Sequence, residues 1–155
     1  MSLEKLSFVL KPGERLMGLD LGAKTIGVAL SDTTRMIATA YRTIRRGKFR
    51  HDGETLGTIV AAENIAAIIL GLPANMNGTE GPRAQATRAF TRNLTGVVER
   101  PIVLWDERLS TRAVTRMLLA ADTSRARRKN LVDKLAAAYI LQGALDRLGE
   151  LIREK

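Results

Sequence analysis

The chain has 155 residues, no cysteine, and 25 Lys and Arg against 16 Asp and Glu, a net charge of +9. The missing thiol excludes disulfides, thiolate metal sites and covalent thiol catalysis, and it permits a reducing compartment. No apolar run approaches membrane-spanning length and the N-terminus lacks the apolar core of a signal peptide, so a cytoplasmic protein with no membrane partner is expected. Positive balance points instead to a polyanionic partner, and the length suits one domain with a core of its own.

Residues 1–15 read as an N-terminal arm, loosely docked, with a short apolar patch at Phe8, Val9 and Leu10, and residues 16–155 as the working domain. Leu16 to Asp32 then forms the key stretch. Side chains alternate along an extended chain, so Leu19 and Leu21 share one face while Gly18, Asp20 and Gly22 share the other. A turn at Gly22 to Thr25 leads into a second alternation, Ile26, Val28 and Leu30 against Gly27, Ala29 and Ser31. Glycine inside a strand marks close approach by a ligand or by another backbone, so something bulky is expected above Asp20.

Ala40 to Ile44 fits a third, edge strand, followed by a basic cluster of Arg42, Arg45, Arg46, Lys48 and Arg50. That cluster reads equally as a solvated loop or as a phosphate-tracking patch. His51 is expected at the surface, since one histidine makes no zinc site by itself. A helix is predicted from Asp52 to Asn64 on the stripe of Leu56, Ile59 and Val60. Ala66 to Leu72 is a continuous apolar run, the pattern of a strand buried on both faces in a parallel sheet. The turn-rich segment from Ala74 to Arg83 leaves its carboxyl end, where open α/β sheets place ligands, and a helix is expected from Pro82 to Leu94. Ile102 to Trp105 is a second apolar strand, ending at Asp106-Glu107-Arg108, with Trp105 read as core. Ser110 or Thr111 can cap a helix through Val114, Met117, Leu118 and Ala121. Asp122 to Lys129 breaks the pattern, and a long helix runs from Asn130 to Leu151. On that helix Asp133 shares a face with Ala136, Ala137, Ile140 and Ala144, either as a carboxylate facing the sheet or as a first-turn acid favoured by the helix dipole.

Asp20, Glu107 and Asp133 come from distant parts of the chain and meet if the first and last apolar strands are parallel and the long helix crosses their ends. Oxygen donors of this kind suit Mg²⁺, which takes one or two carboxylates plus substrate phosphates. Spacing alone leaves Asp106, Asp32 and Glu80 as alternative members.

The segments Gly18-Leu-Asp-Leu-Gly-Ala-Lys24, Ile26 to Asp32, Gly71-Leu-Pro73 with Asn77 to Arg83, Asp106 to Thr111, and Lys129 to Ala138 with Ile140-Leu-Gln142 resemble, in order, the motifs of the YqgF family, also called RuvX. The resemblance implies an α/β fold of the ribonuclease H-like class, three layers α/β/α around a mixed five-stranded sheet of order 3-2-1-4-5. It implies a nuclease that hydrolyses phosphodiester bonds with Mg²⁺ or Mn²⁺, two ions once substrate is bound, held by Asp20, Glu107 and Asp133. The family has been assigned to 5′-end maturation of the small-subunit ribosomal RNA precursor, pre-16S rRNA, and earlier to resolving Holliday junctions in branched DNA. On that reading the partners are structured RNA or branched DNA and ribosomal precursor particles. Lys24, Asn75, Asn77, Thr79 and Arg83 become substrate contacts, with Arg112 and the run from Arg125 to Lys129, Arg128 included, as backbone holders. A monomer or weak homodimer is expected; cutting a symmetric junction would need two coordinated sites. Two local departures are Lys24-Thr25, where many relatives carry Lys-Arg, and Asn77, where an aspartate is common. Two other readings share some of these residues. Actin-like ATPases open with a similar Asp-x-Gly hairpin but need a second domain, and a non-catalytic RNA-binding module would use the basic patches alone.

Overall fold

The computed structural model describes residues 1–75, 77–106 and 125–154, with the backbone alone for 125–134. Its elements in chain order are α1 (Leu3–Val9), β1 (Arg15–Leu21), β2 (Thr25–Ser31), β3 (Ala38–Arg45), α2 (Phe49–Ala62), β4 (Ile65–Leu72), α3 (Pro82–Thr95), β5 (Ile102–Asp106) and α4 (Arg125–Arg153). The strands form one sheet in the order β3-β2-β1-β4-β5, as the motifs imply. β1, β2 and β3 pair antiparallel, and β1, β4 and β5 run parallel.

Alternation explains the two cores. Leu19, Leu21, Ile26, Val28, Ile68 and Leu70 point to the face covered by α2 and α3, where they pack with Leu56, Ile59, Phe90 and Leu94. Leu16, Ala29, Ile69 and Val103 point to the other face, under Ala137, Ile140, Leu141 and Ala144 of α4 and Leu3 and Leu6 of α1. β4 supplies both cores, so its unbroken apolar run has the cause proposed for it: a strand covered on both sides.

Gly18 is bare because a helix lies on it. A Cβ there would come within 2.7 Å of the Leu141 Cβ and 2.9 Å of the Ala137 carbonyl oxygen. The bulky neighbour expected above this face is therefore α4, another backbone. Gly22 owes its smallness to the turn, where its N–H donates to the Thr25 carbonyl at 2.8 Å.

Three expectations are corrected. The loose arm is a short helix, capped by the Ser2 hydroxyl and anchored by Leu3 and Leu6, which are buried against α4. α2 starts at Phe49 rather than Asp52, because the buried Asp52 carboxylate reaches back to accept from the Gly47 N–H, 3.2 Å from each oxygen. α4 starts at Arg125 rather than Asn130, so the arginine-rich segment read as a break is its first turn. His51 is exposed, as expected, and Trp105 is half-buried against the second core, over Gly143. The expected helix after Ser110 or Thr111 lies outside the described residues. Among the described residues no helix is long and apolar enough to cross a membrane.

Gly18→Ala is expected to cost about 1–3 kcal/mol by overpacking, since the nearest obstacles are backbone and a Cβ that cannot rotate away. Urea unfolding of the two proteins measures it, and an unchanged midpoint would contradict the close approach of α4.

Candidate nuclease site

β1, β4 and β5 are parallel, so their carboxyl ends reach one edge of the sheet, the place where open α/β sheets receive ligands. Three segments meet there: the Gly22–Lys24 turn, the loop at 73–81 and the end of β5. Asp20 lies at that edge, half-buried, paired across the ladder with Gly27. It follows Gly18 by two residues and so shares the α4 face.

The course of α4 fixes what stands beside it. Gln142 accepts from the Ala38 N–H at 2.8 Å and donates to the Met36 carbonyl at 2.9 Å, at the far end of β3, opposite Ser31. Ala137 and Leu141 lie over Gly18. Running back toward its N-terminus, the helix therefore travels toward the edge that carries Asp20. Residue 133 is one turn before Ala137, about 6 Å along the axis. Asp20 is two strand residues beyond Gly18, about 6.6 Å in the same direction. The two steps are of similar length and direction, while the side chain of Asp133 is outside the described residues, as is the whole of Glu107.

The alternative acids are occupied or turned elsewhere. Asp32 follows β2 at the opposite end of the sheet from Asp20. Its carboxylate accepts the Ile37 N–H at 3.0 Å, the Thr34 hydroxyl and the Met36 N–H at 2.8 Å, which together close the β2–β3 turn. These bonds, led by the Ile37 N–H and then the Thr34 hydroxyl, hold it well below the usual carboxylate range. Glu80 grips the Arg88 guanidinium through two bonds of 2.7 Å, which lower its pKa. Asp106 is at the right edge and exposed, but it alternates with Trp105 and so leans toward the α2 and α3 side.

The expected substrate contacts divide into two kinds. Asn75, Asn77 and Thr79 are exposed and bond to one another: Asn75 Nδ2 donates to Thr79 Oγ1 at 3.0 Å, and Asn77 Oδ1 accepts from the Thr79 hydroxyl at 2.6 Å and its N–H at 3.1 Å. They shape the loop, and an aspartate at 77 would accept the same two bonds. Lys24 and Arg83 are exposed at the edge, on the turn and in the first turn of α3. Arg112 lies outside the described residues, and Arg128 and Lys129 lie in the first turns of α4 with their side chains outside them.

One neighbour was not legible in the sequence. Thr43 of β3 pairs with Gly27, the partner of Asp20, and its Oγ1 is buried with no hydrogen-bond partner among the described residues. Only the ladder register places it in the Asp20 row.

As a metal site, the donor chemistry fits a hard divalent cation, because the acid at this edge offers carboxylate oxygens and, among the described residues, no sulfur or imidazole accompanies it. Among the described residues no group of three or more His, Cys, Asp or Glu could hold an ion, and two of the three expected ligands lie beyond them.

The sheet order, with helices on both faces and an acid at the carboxyl edge of β1, defines a ribonuclease H-like nuclease fold. Thermus thermophilus RuvC shares it, with a TM-score of 0.53 and 12% identity over 88% of this chain and 97% of that one. Its complex with a Holliday junction substrate gives 0.52 and 11%, over 88% and 96%. The chain belongs to the RuvX family, whose model, described as Holliday junction resolvase, matches residues 14–147. A relative from Rhodobacter capsulatus is 62% identical over 138 residues, 89% of this chain and 87% of its own. One from Beijerinckia indica is 58% identical over 146, covering 94% and 88%. Both carry the name "Putative pre-16S rRNA nuclease".

Because Asp32 is held below its unfolded pKa, its contribution to stability is present above about pH 4 and is lost as pH falls toward the depressed folded value. Asp32→Ala is therefore expected to melt below the wild type at pH 7, with the gap narrowing at pH 3. Thermal melts across that range measure it, and a gap that widens in acid would contradict the bonding.

Proposed function

We propose that the protein is a divalent-metal-dependent nuclease that cuts phosphodiester bonds in structured RNA, acting in 5′-end maturation of pre-16S rRNA in the cytoplasm. One observation supports the reading: Asp20 stands at the carboxyl edge of the central strand, two residues beyond the Gly18 on which Ala137 and Leu141 of α4 rest. The names of the relatives favour precursor ribosomal RNA, while the family's description keeps branched DNA as the second substrate.

In this reading Asp20 is the shared metal ligand, and Glu107 and Asp133 flank it. Mg²⁺ or Mn²⁺ bound there supplies activation of a water and neutralisation of the leaving oxygen. Asp20, fixed by its ladder partner Gly27 and by α4 above, orients that centre without rearrangement of the sheet. Lys24 and Arg83 hold substrate phosphates on either side of the edge, and Asn75, Asn77 and Thr79 keep the loop between them in shape. Arg112, Arg128 and Lys129 serve as further holders of the substrate backbone. Water is the nucleophile, so no covalent enzyme intermediate forms.

The test offers purified protein, with Mg²⁺ or Mn²⁺, precursor 16S RNA, single-stranded RNA and a four-way DNA junction side by side. Cleavage of precursor RNA is expected, reduced to background by Asp20→Asn with the melting temperature retained. Undiminished cleavage by Asp20→Asn would remove this residue from the site, and binding of all three without metal-dependent cutting would favour a binding module. Lys129→Gln is expected to weaken binding to different sequences about equally and to lower the salt slope by about 0.7–0.9. A sequence-selective loss would contradict a phosphate contact.

A further inference from the structure

The basic cluster after β3 is not uniform. Arg42, Arg45, Lys48 and Arg50 are exposed, whereas Arg46 is half-buried and braced from several directions. Its own N–H donates to the Lys24 carbonyl at 2.9 Å, and the next residue, Gly47, is tied to the buried Asp52. Its guanidinium donates through Nη1 to the Gly22 carbonyl at 2.6 Å and lies 5.8 Å from the centre of the Phe90 ring. Phe90 is itself held edge-on by Phe49, with ring centres 5.4 Å apart.

A guanidinium carries five donors, and the Gly22 carbonyl takes one. Arg46 also lines a cavity of about 290 Å³, whose wall includes Gly22, Pro82, Arg83, Ala86 and Thr87. That is close to the lower end of the range for ligand pockets, about 300 Å³. Arg46 and Arg83 are the only charged residues in its wall, and neither is ion-paired among the described residues. Two like charges facing one hollow repel each other unless an anion lies between them. The cation–π contact and the bond to Gly22 fix the Arg46 fork in advance, so ordering it on binding costs little entropy.

We infer that this cavity is a phosphate subsite in which Arg46 and Arg83 together grip one backbone phosphate of the bound strand. It rests on the nuclease reading above and adds to it a place and a partner for Arg83. The cavity opens beside the turn that follows Asp20, on the α2 and α3 side of the sheet, while Asp20 faces α4. A strand crossing the carboxyl edge is therefore held on one side of the sheet and cut on the other. Arg46 acts as a positioning residue: it sets which phosphate reaches Asp20.

The test measures binding in the Asp20→Asn background with Mg²⁺, by fluorescence anisotropy on a short mixed-sequence single-stranded RNA across a salt series. Arg46→Gln and Arg83→Gln are each expected to weaken binding about tenfold and to lower the salt slope by about 0.7, one single-strand phosphate. The double variant is expected to lose little more than either single, because both groups grip the same phosphate. Unchanged slopes, or a double that loses two phosphates' worth, would overturn the subsite. Since Arg46 also supports the Gly22 turn, a second measurement avoids its substitution: methylphosphonates are placed one at a time along a DNA strand. One position should weaken the Arg46 and Arg83 protein and have no effect on Arg83→Gln; the same penalty in both would overturn the assignment. If folded Asp20→Asn binds neither RNA nor junction DNA, the nuclease reading falls and the subsite with it. If wild-type cleavage proceeds while the slopes stay unchanged, only the subsite falls.

Discussion

The contact on which the architecture turns is the one between Gly18 and α4. A helix normally rests on a sheet through side chains on both partners, which keeps the two backbones well apart. Here the strand contributes no side chain at Gly18, and the helix meets it with Ala137 and the base of Leu141. Alanines at 136, 137, 138 and 144 continue the low profile along the buried side of the helix. The result is a fixed register between α4 and β1, with little freedom to slide, because a bulkier residue on either partner would collide with the other. A site built from the end of β1 and the start of α4 can then be as precise as the packing that joins them.

Six other acids are tied to groups elsewhere in the fold. Asp32 closes a turn, Asp52 starts a helix, Glu63 binds Arg15, Glu80 binds Arg88, and Glu150 and Glu154 share Arg147. Each of these carboxylates is satisfied where it stands, by a backbone N–H or by a basic neighbour. Such placements remove negative charge from the parts of the surface that would otherwise repel a polyanion. The excess of Lys and Arg in the composition therefore survives as an outward field.

How far the sequence foretold this depends on the kind of signal each feature carries. Strands with alternating or continuous apolar runs were readable to within a residue or two, since burial on one face or on both writes itself directly into the pattern. Helix starts were less so. α2 has no side-chain cap at Lys48, its start being tied instead by Asp52 to the Gly47 N–H, and the first turn of α4 is arginine-rich, with none of the apolar spacing that announces a helix. α1 has only two buried leucines, fewer than a stripe needs to be recognised. Asp20 stood out because its neighbours were glycines, yet the causes were packing for Gly18 and a turn for Gly22. The candidate was thus reached through a pattern that serves two other structural ends.

Arg46 shows the opposite case. Five basic residues within nine positions look alike in a sequence, and nothing local distinguishes a solvated arginine from a braced one. The distinction is made by Gly22 and Phe90, which lie 24 and 44 residues away and meet it only in the folded chain. Charge density alone brings a nucleic acid to the surface, and exposed arginines can provide that while remaining mobile. Choosing one phosphate over its neighbours requires a guanidinium whose direction is already set, and therefore requires contacts that the charge count cannot reveal. The same β1–β2 turn that follows Asp20 supplies one of those contacts, through the Gly22 carbonyl. Any displacement of that turn would move the arginine and the end of the strand together, so one turn sets the position of both Arg46 and the end of β1.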